Sequence, residues 1–295
     1  MVFNGLSAFP ITPADEAGRV DTEALGRLLE RLVAAGVDSI GLLGSTGTYA
    51  FLTREERRRA IDAAAECVEG RVPLIVGVGA LRTDQACDLA RDAEAGGASG
   101  LLLAPVSYNK LLDEEVYQQF LAVTEASRLP LCIYDNPGTT NFSFGIDLVA
   151  RLTQRPSIAA IKMPLPANGD FAGHLAAVRA RVEPGFALGF SGDWGMGDAM
   201  LAGSDVFFSV LAGTIPGPIL ALVRAAQSGD AARVRELEGQ LAPLFALCKE
   251  LTSLRVVYTM VDLLGLTTAR PPRPILPLPA EAQRRVAEAV NRIHA

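Results

Sequence analysis

Short apolar runs alternate with longer, alanine-rich amphipathic stretches eight times between Gly5 and Ala226, and this alternation constrains the fold more than any other feature of the chain. A short apolar run bounded by turn residues reads as a buried strand, and a stretch whose apolar positions recur every three or four residues reads as a surface helix. The predicted strands are Gly5–Phe9, Ser39–Leu43, Leu74–Val78, Gly100–Ala104, Leu131–Tyr134, Ala159–Lys162, Ala187–Phe190 and Val206–Val210. Helical patterns follow near Thr22–Ala35, Arg54–Val68, Arg82–Ala95, Asp113–Ser127, Gly145–Leu152, Phe171–Arg181, Gly195–Leu201 and Pro218–Ala226. Strand–helix alternation builds a parallel sheet, and eight units of roughly 20 to 35 residues suit an α/β protein of the (β/α)8 TIM-barrel class. A doubly wound sheet shares the alternation, but no GxGxxG follows the first strand, so the barrel is favoured.

Local signals mark the helix ends. Thr53-Arg54-Glu55-Glu56 fits a capping box, while Gly36, Gly70 and Gly96-Gly97 stand where helices should stop. The charge run Arg54–Arg59 reads as the solvated face of a helix. From about Gly229 the strand pattern ceases, and helices are expected near Ala231–Lys249, Ser253–Leu264 and Ala280–Ile293, with a proline-rich hinge from Pro271 to Pro279. The predicted organisation is a barrel over residues 1–228 with a C-terminal helical appendage over 229–295 packed on it.

Composition removes several function classes. A net charge of −6 argues against a nucleic-acid or anionic-membrane surface, so an anionic substrate needs a local site. No apolar run is long enough to cross a bilayer, no basic leader precedes Gly5, and a cytoplasmic location is expected. Cys67, Cys87, Cys132 and Cys248 lie in apolar segments without metal-ligand spacing and read as reduced and buried. With two histidines in the chain, His174 and His294, there is little material for a histidine triad or a His-rich metal site, and no metal is expected.

In a barrel, side chains at the C-terminal ends of the strands share one mouth, so chemistry is sought there. Lys162 ends the sixth strand within Ile158-Ala159-Ala160-Ile161-Lys162-Met163. A lysine amine among aliphatic side chains is favoured in its neutral form, a nucleophile toward ketones; the structural alternative is a stem along the core with its head in water. Tyr134 ends the fifth strand, and a phenol beside an amine and a ketone can move protons. Gly44-Ser45-Thr46-Gly47 follows the second strand and offers backbone N–H and hydroxyl groups to a small carboxylate. Gly192-Asp193-Trp194-Gly195 after the seventh strand lacks calcium-loop or P-loop spacing and reads as a glycine-lined wall.

Taken together, these residues make the chain similar to the dihydrodipicolinate synthase and N-acetylneuraminate lyase family of class I pyruvate-type aldolases. The resemblance covers nearly the whole chain, from Thr12-Pro13 and Gly18 through Gly44–Gly47 and Leu52–Arg57 to Tyr134 with Asn136-Pro137, Ile161-Lys162, Ser191-Gly192-Asp193 and the helical tail. It implies that Lys162 forms a Schiff base with a 2-oxo acid without an organic or metal cofactor, and that Tyr134 transfers protons. It implies further that Ser45 and Thr46, with Gly47, hold the carboxylate, Ser45 also joining the proton relay. Gly192 and Phe208 match pocket-lining positions, Tyr108 matches a tyrosine inserted into a neighbouring subunit's site, and the family's usual assembly is a homotetramer built as a dimer of dimers.

Three departures bear on the substrate. The synthases of this family carry an arginine where this chain has Thr139, in the substrate-binding turn, and a threonine cannot supply a bidentate guanidinium contact. The family's glutamate after Gly47 is Thr48 here, and Met163-Pro164 reshapes the loop after the lysine. The expected function is therefore a retro-aldolase or dehydratase acting on a pyruvate-related or sugar-derived 2-oxo acid. The alternatives are a dihydrodipicolinate synthase condensing pyruvate with aspartate semialdehyde, and a 2-oxo-acid-binding homologue with weakened catalysis.

Overall fold

The computed structural model describes residues 2–294. Its strands are β1 (Gly5–Ala8), β2 (Ser39–Leu42), β3 (Leu74–Gly77), β4 (Gly100–Leu103), β5 (Leu131–Tyr134), β6 (Ile158–Pro164), β7 (Ala187–Ser191) and β8 (Val206–Ser209). All pair in parallel and in sequence order, and β8 closes onto β1. The intervening helices are α1 (Thr22–Ala35), α2 (Arg54–Val68), α3 (Thr83–Ala95), α4 (Asp113–Ala126), the single turn α5 (Pro137–Thr140), α6 (Ile146–Thr153), α7 (Phe171–Arg179), α8 (Met196–Leu201) and α9 (Pro216–Gln227). Three C-terminal helices, α10 (Ala231–Leu251), α11 (Ser253–Leu263) and α12 (Ala280–His294), complete the chain. The predicted (β/α)8 class with a helical extension is the observed one, and among the described residues no helix is long and apolar enough to cross a membrane.

Alternation along each strand sorts the core into two layers. Ile40, Leu42, Leu74, Val76, Leu101, Leu103, Ile133 and Ile161 face outward and pack under the helices. Phe9, Ile75, Leu102, Cys132, Tyr134, Ala160, Val206 and Phe208 fill the barrel interior. The interior narrows to glycine where rings or backbone need the space. A Cβ on Gly41 would sit 2.1 Å from Phe9 Cζ, and one on Gly77 would sit 1.9 Å from the carbonyl oxygen of Leu43.

Several local readings need revision. Thr53 caps α2 by accepting from Glu56 N at 3.3 Å, but the reciprocal half of the box is absent: Glu56 instead accepts from Val20 N at 2.7 Å. Arg57 leaves the solvated face altogether. It is buried, its guanidinium donates to the carbonyls of Gly77 and Gly79 at 2.8 and 3.1 Å, and it lies 5.2 Å from the ring centre of Tyr49. Strand β6 runs two residues past the lysine, Met163 and Pro164 pairing in register with Phe190 and Ser191, and the missing N–H of Pro164 is tolerated at the strand's last position.

Candidate active site

Alternation in β6 turns Ile161 and Met163 outward and Lys162 inward. Lys162 is 3% exposed, paired in register with Tyr134 on one side and Gly189 on the other. Three rings surround its amine: Nζ lies 4.0 Å from the ring centre of Phe9, 4.3 Å from that of Tyr134 and 5.6 Å from that of Phe208. Gly189 makes this possible, since a Cβ there would fall 2.5 Å from Phe208 Cε2. The amine is thereby held on a ring-lined floor, and it lines the cavity at the barrel mouth.

Above the floor a hydroxyl network crosses from β5 to the turn after β2. Ser45 Oγ and Tyr134 Oη share a hydrogen bond of 3.2 Å. Asn136 Nδ2 donates to Tyr134 Oη at 3.0 Å and reaches Ser45 Oγ at 3.4 Å. Asn136 is aimed there by local sequence. Pro137 opens the turn α5 with its φ already set, and the Asn136 carbonyl accepts from Thr139 N and Thr140 N, leaving its amide directed back across the mouth. The hydroxyl turn itself is bracketed by two residues in left-handed backbone, Leu43 (φ 56) and Thr48 (φ 51), a conformation that costs on the order of 1 kcal/mol or more for each. Thr48 sits beside the hydroxyl of Tyr258, which comes from α11, so the C-terminal helices brace the turn from behind.

The cavity over this floor has a volume of about 680 Å³ and is lined by Thr46, Tyr134, Asn136 and Lys162 at its base. Around its rim stand the Pro164–Ala167 segment, Ser191–Gly195, Val210 and, from the C-terminal helices, Ser253. A buried amine beside a hydrogen-bonded phenol, with hydroxyls opposite, is a set of groups that can form and hydrolyse an imine.

A model of the Dihydrodipicolinate synthetase family matches residues 2–293. The chain belongs to this family. It is accordingly a class I aldolase-type enzyme, a lyase of the Schiff-base-forming kind. A 4-hydroxy-tetrahydrodipicolinate synthase of Alcanivorax borkumensis is 35% identical over 283 residues, which cover 95% of this chain and 94% of that protein. The crystal structure of dihydrodipicolinate synthase from Agrobacterium tumefaciens is similar with a TM-score of 0.98 at 57% identity, covering 99% of this chain and 98% of that one. That of the Aquifex aeolicus protein gives 0.92 at 29% identity, with 99% and 98% covered.

Of the family positions, Lys162, Tyr134, Thr46 and Gly192 line the cavity, and Ser45 joins it through its bond to Tyr134. Phe208 lies below as part of the floor. Gly47 packs behind the turn, where a Cβ would come 3.1 Å from the Leu43 backbone. Thr139 is exposed, its hydroxyl 3.3 Å from the Asn136 carbonyl, and it does not line the cavity. Tyr108 is 91% exposed on the loop after β4 and stands outside its own chain's cavity.

Four contributors had no individual role assigned from the sequence. Phe9 directly follows β1 in one apolar run, and nothing in that run distinguishes a ring aimed at the lysine from ordinary core. Asn136 was signalled only by the Asp-Asn-Pro turn. Asp193 is fully buried and joins the ends of β7 and β8, accepting from Ser209 Oγ and, at 3.2 Å each, from Val210 N and Leu211 N. Burial raises its carboxyl above the usual range against the pull of these donors. Asp135, also at the rim, has a buried oxygen, Oδ1, without a hydrogen-bond partner, and burial pushes its carboxyl up to about 6.

Proposed function

We infer that this enzyme acts on a 2-oxo acid through a Schiff base on Lys162, cleaving or dehydrating a substrate whose tail bears no second carboxylate. The observation that carries the reading is the buried Lys162 amine, ringed by Phe9, Tyr134 and Phe208 at the base of an open cavity. Tyr134 takes the role of proton-transferring phenol, with Ser45 as its relay partner and Asn136 holding both oxygens in place. Thr46 and the backbone of the Ser45–Gly47 turn receive the substrate carboxylate, while Gly192 and Phe208 shape the pocket. Thr139, at the position of the synthase arginine, leaves the tail without a cationic partner there. Incubation with pyruvate and borohydride should fix one reduced pyruvate on the protein and abolish turnover. An unmodified protein, under conditions that label a known class I aldolase, would refute it.

A second reading is supported by the names of the relatives: condensation of pyruvate with aspartate semialdehyde, as a 4-hydroxy-tetrahydrodipicolinate synthase. A coupled assay with these two substrates decides it, and absence of turnover excludes it. As in the family's usual assembly, we read the enzyme as a cytoplasmic homotetramer in which Tyr108, exposed within one chain, enters the relay of a neighbour. Light scattering gives the assembly, and a Tyr108→Phe variant with unchanged activity would remove that residue from the relay.

A further inference from the structure

The cavity above Lys162 is much larger than a three-carbon acid requires, and its chemistry is lopsided. Beyond the hydroxyl network, the wall includes Pro164 at the end of β6, Leu165 and Pro166 just after it, Phe171 at the start of α7, and Trp194, with Ser191 and Ser253 beside them. Two glycines let these groups converge. A Cβ on Gly192 would lie 3.1 Å from Leu165 Cδ1 and 3.5 Å from Trp194 Cζ2, and one on Gly195 would lie 2.6 Å from Leu165 Cδ1 and 3.1 Å from Phe171 Cζ. Aromatic and aliphatic surface therefore meets at a single corner of the mouth.

Polar capacity in that corner is small. Among the described lining residues the one cationic side chain is Lys162 itself, whereas three acids stand on the wall. Asp193 is engaged by Ser209, Val210 and Leu211, Asp198 by Arg235 at 2.6 Å, and Asp135 keeps an unpartnered oxygen. Lys249 places its ammonium 5.4 Å from the Trp194 ring centre, but it lies outside the lining. A second carboxylate would meet acids here, and a polyhydroxylated chain could pair with Ser191, Ser253 and the free Asp135 oxygen but would also lay hydroxyls against Pro164, Leu165, Phe171 and Trp194, which cannot replace their water.

We propose that the substrate tail is an aromatic or branched hydrocarbon group seated between Trp194 and the Pro164–Pro166 wall, so that the aldehyde released is apolar. This rests on the class I lyase reading above. The Lys162 amine condenses with the C2 ketone, and the expelled water carries off the proton of Tyr134. The Tyr134 oxygen then takes the C4 hydroxyl proton, the C3–C4 bond breaks, and its electron pair moves into the iminium to give an enamine. The apolar aldehyde leaves. Protonation at C3 and hydrolysis return pyruvate and the free lysine, so that one 4-hydroxy-2-oxo acid yields one aldehyde and one pyruvate.

The test compares kcat/KM of the full-length enzyme for 4-hydroxy-2-oxo acids with phenyl and isopropyl tails, for a six-carbon 3-deoxy-2-oxo sugar acid, and for pyruvate with aspartate semialdehyde. Pyruvate–borohydride labelling is measured in parallel. The better apolar substrate should lead by about tenfold or more. Trp194→Ser should lower kcat/KM for the phenyl substrate by about tenfold to a hundredfold while leaving the rate of pyruvate labelling unchanged. Preference for the sugar acid or the semialdehyde overturns the proposal, as does an indifferent Trp194→Ser variant, or labelling by pyruvate without turnover of either apolar substrate. Absence of labelling in the unmodified enzyme instead strikes the Schiff-base reading beneath it.

Discussion

Replacing Asp135 by asparagine should stabilise the protein at neutral pH and do nothing for it in acid. The carboxyl is half-buried, one of its oxygens lacks a partner, and burial lifts it from 3.8 to about 6. An acid held above its unfolded value binds its proton more tightly in the fold. The corresponding stability is fully present below about pH 4, is lost as pH rises through about 6, and stays absent above that. At roughly 1.4 kcal/mol per tenfold, the interval is worth at most about 3 kcal/mol, and solvent at the rim reduces this to about 1–2 kcal/mol. Asparagine has the same shape and cannot ionise, so the variant's advantage over the parent should grow by about 1–2 kcal/mol between pH 4 and pH 8. Urea unfolding of both proteins at one fixed concentration, followed by circular dichroism at each pH, measures this difference directly. An advantage that is the same at both pH values would refute the assignment of a buried, protonated carboxyl.

Three further outcomes follow from the same geometry. Asn136→Ala removes the donor shared by Tyr134 and Ser45, and steady-state kinetics should show kcat reduced about tenfold to a hundredfold with a much smaller change in KM. Gly77→Ala drives a Cβ against the Leu43 carbonyl, an atom of the strained turn that cannot yield, and should cost about 3 kcal/mol or more in chemical denaturation. Asp193→Asn turns an amide N–H toward one of the two backbone donors, Val210 or Leu211, and should cost about 1–3 kcal/mol by the same measurement.

The barrel was legible because its signal is repeated: eight apolar runs and eight amphipathic stretches report one architecture even where single boundaries slip. Lys162 and Tyr134 were legible for a related reason, since chemistry-bearing residues at the ends of adjacent strands must face one mouth, and β5 and β6 pair them in register. What stayed hidden depends on where a side chain points once the backbone has curled. Arg57 sits in a run of charges indistinguishable from a solvated face, yet its position on α2 puts the guanidinium on the Gly77 and Gly79 carbonyls. Glu56 satisfies the spacing of a capping box, but a backbone N–H distant in sequence, that of Val20, competes for its carboxylate. The apolar corner formed by Leu165, Phe171 and Trp194 comes from three separate loops and helices, so no local pattern in the sequence announces it.

The central claim is that Lys162 carries the covalent chemistry while the Ser45–Gly47 turn receives the carboxylate. A crystal structure of the enzyme soaked with pyruvate and reduced in place tests it most directly. The expected result is continuous density from Lys162 Nζ to C2 of the ligand, with the carboxylate on Ser45 and Thr46 and the Tyr134 hydroxyl beside the new bond. Pyruvate attached to another amine, or bound in the cavity with Lys162 free, would contradict it.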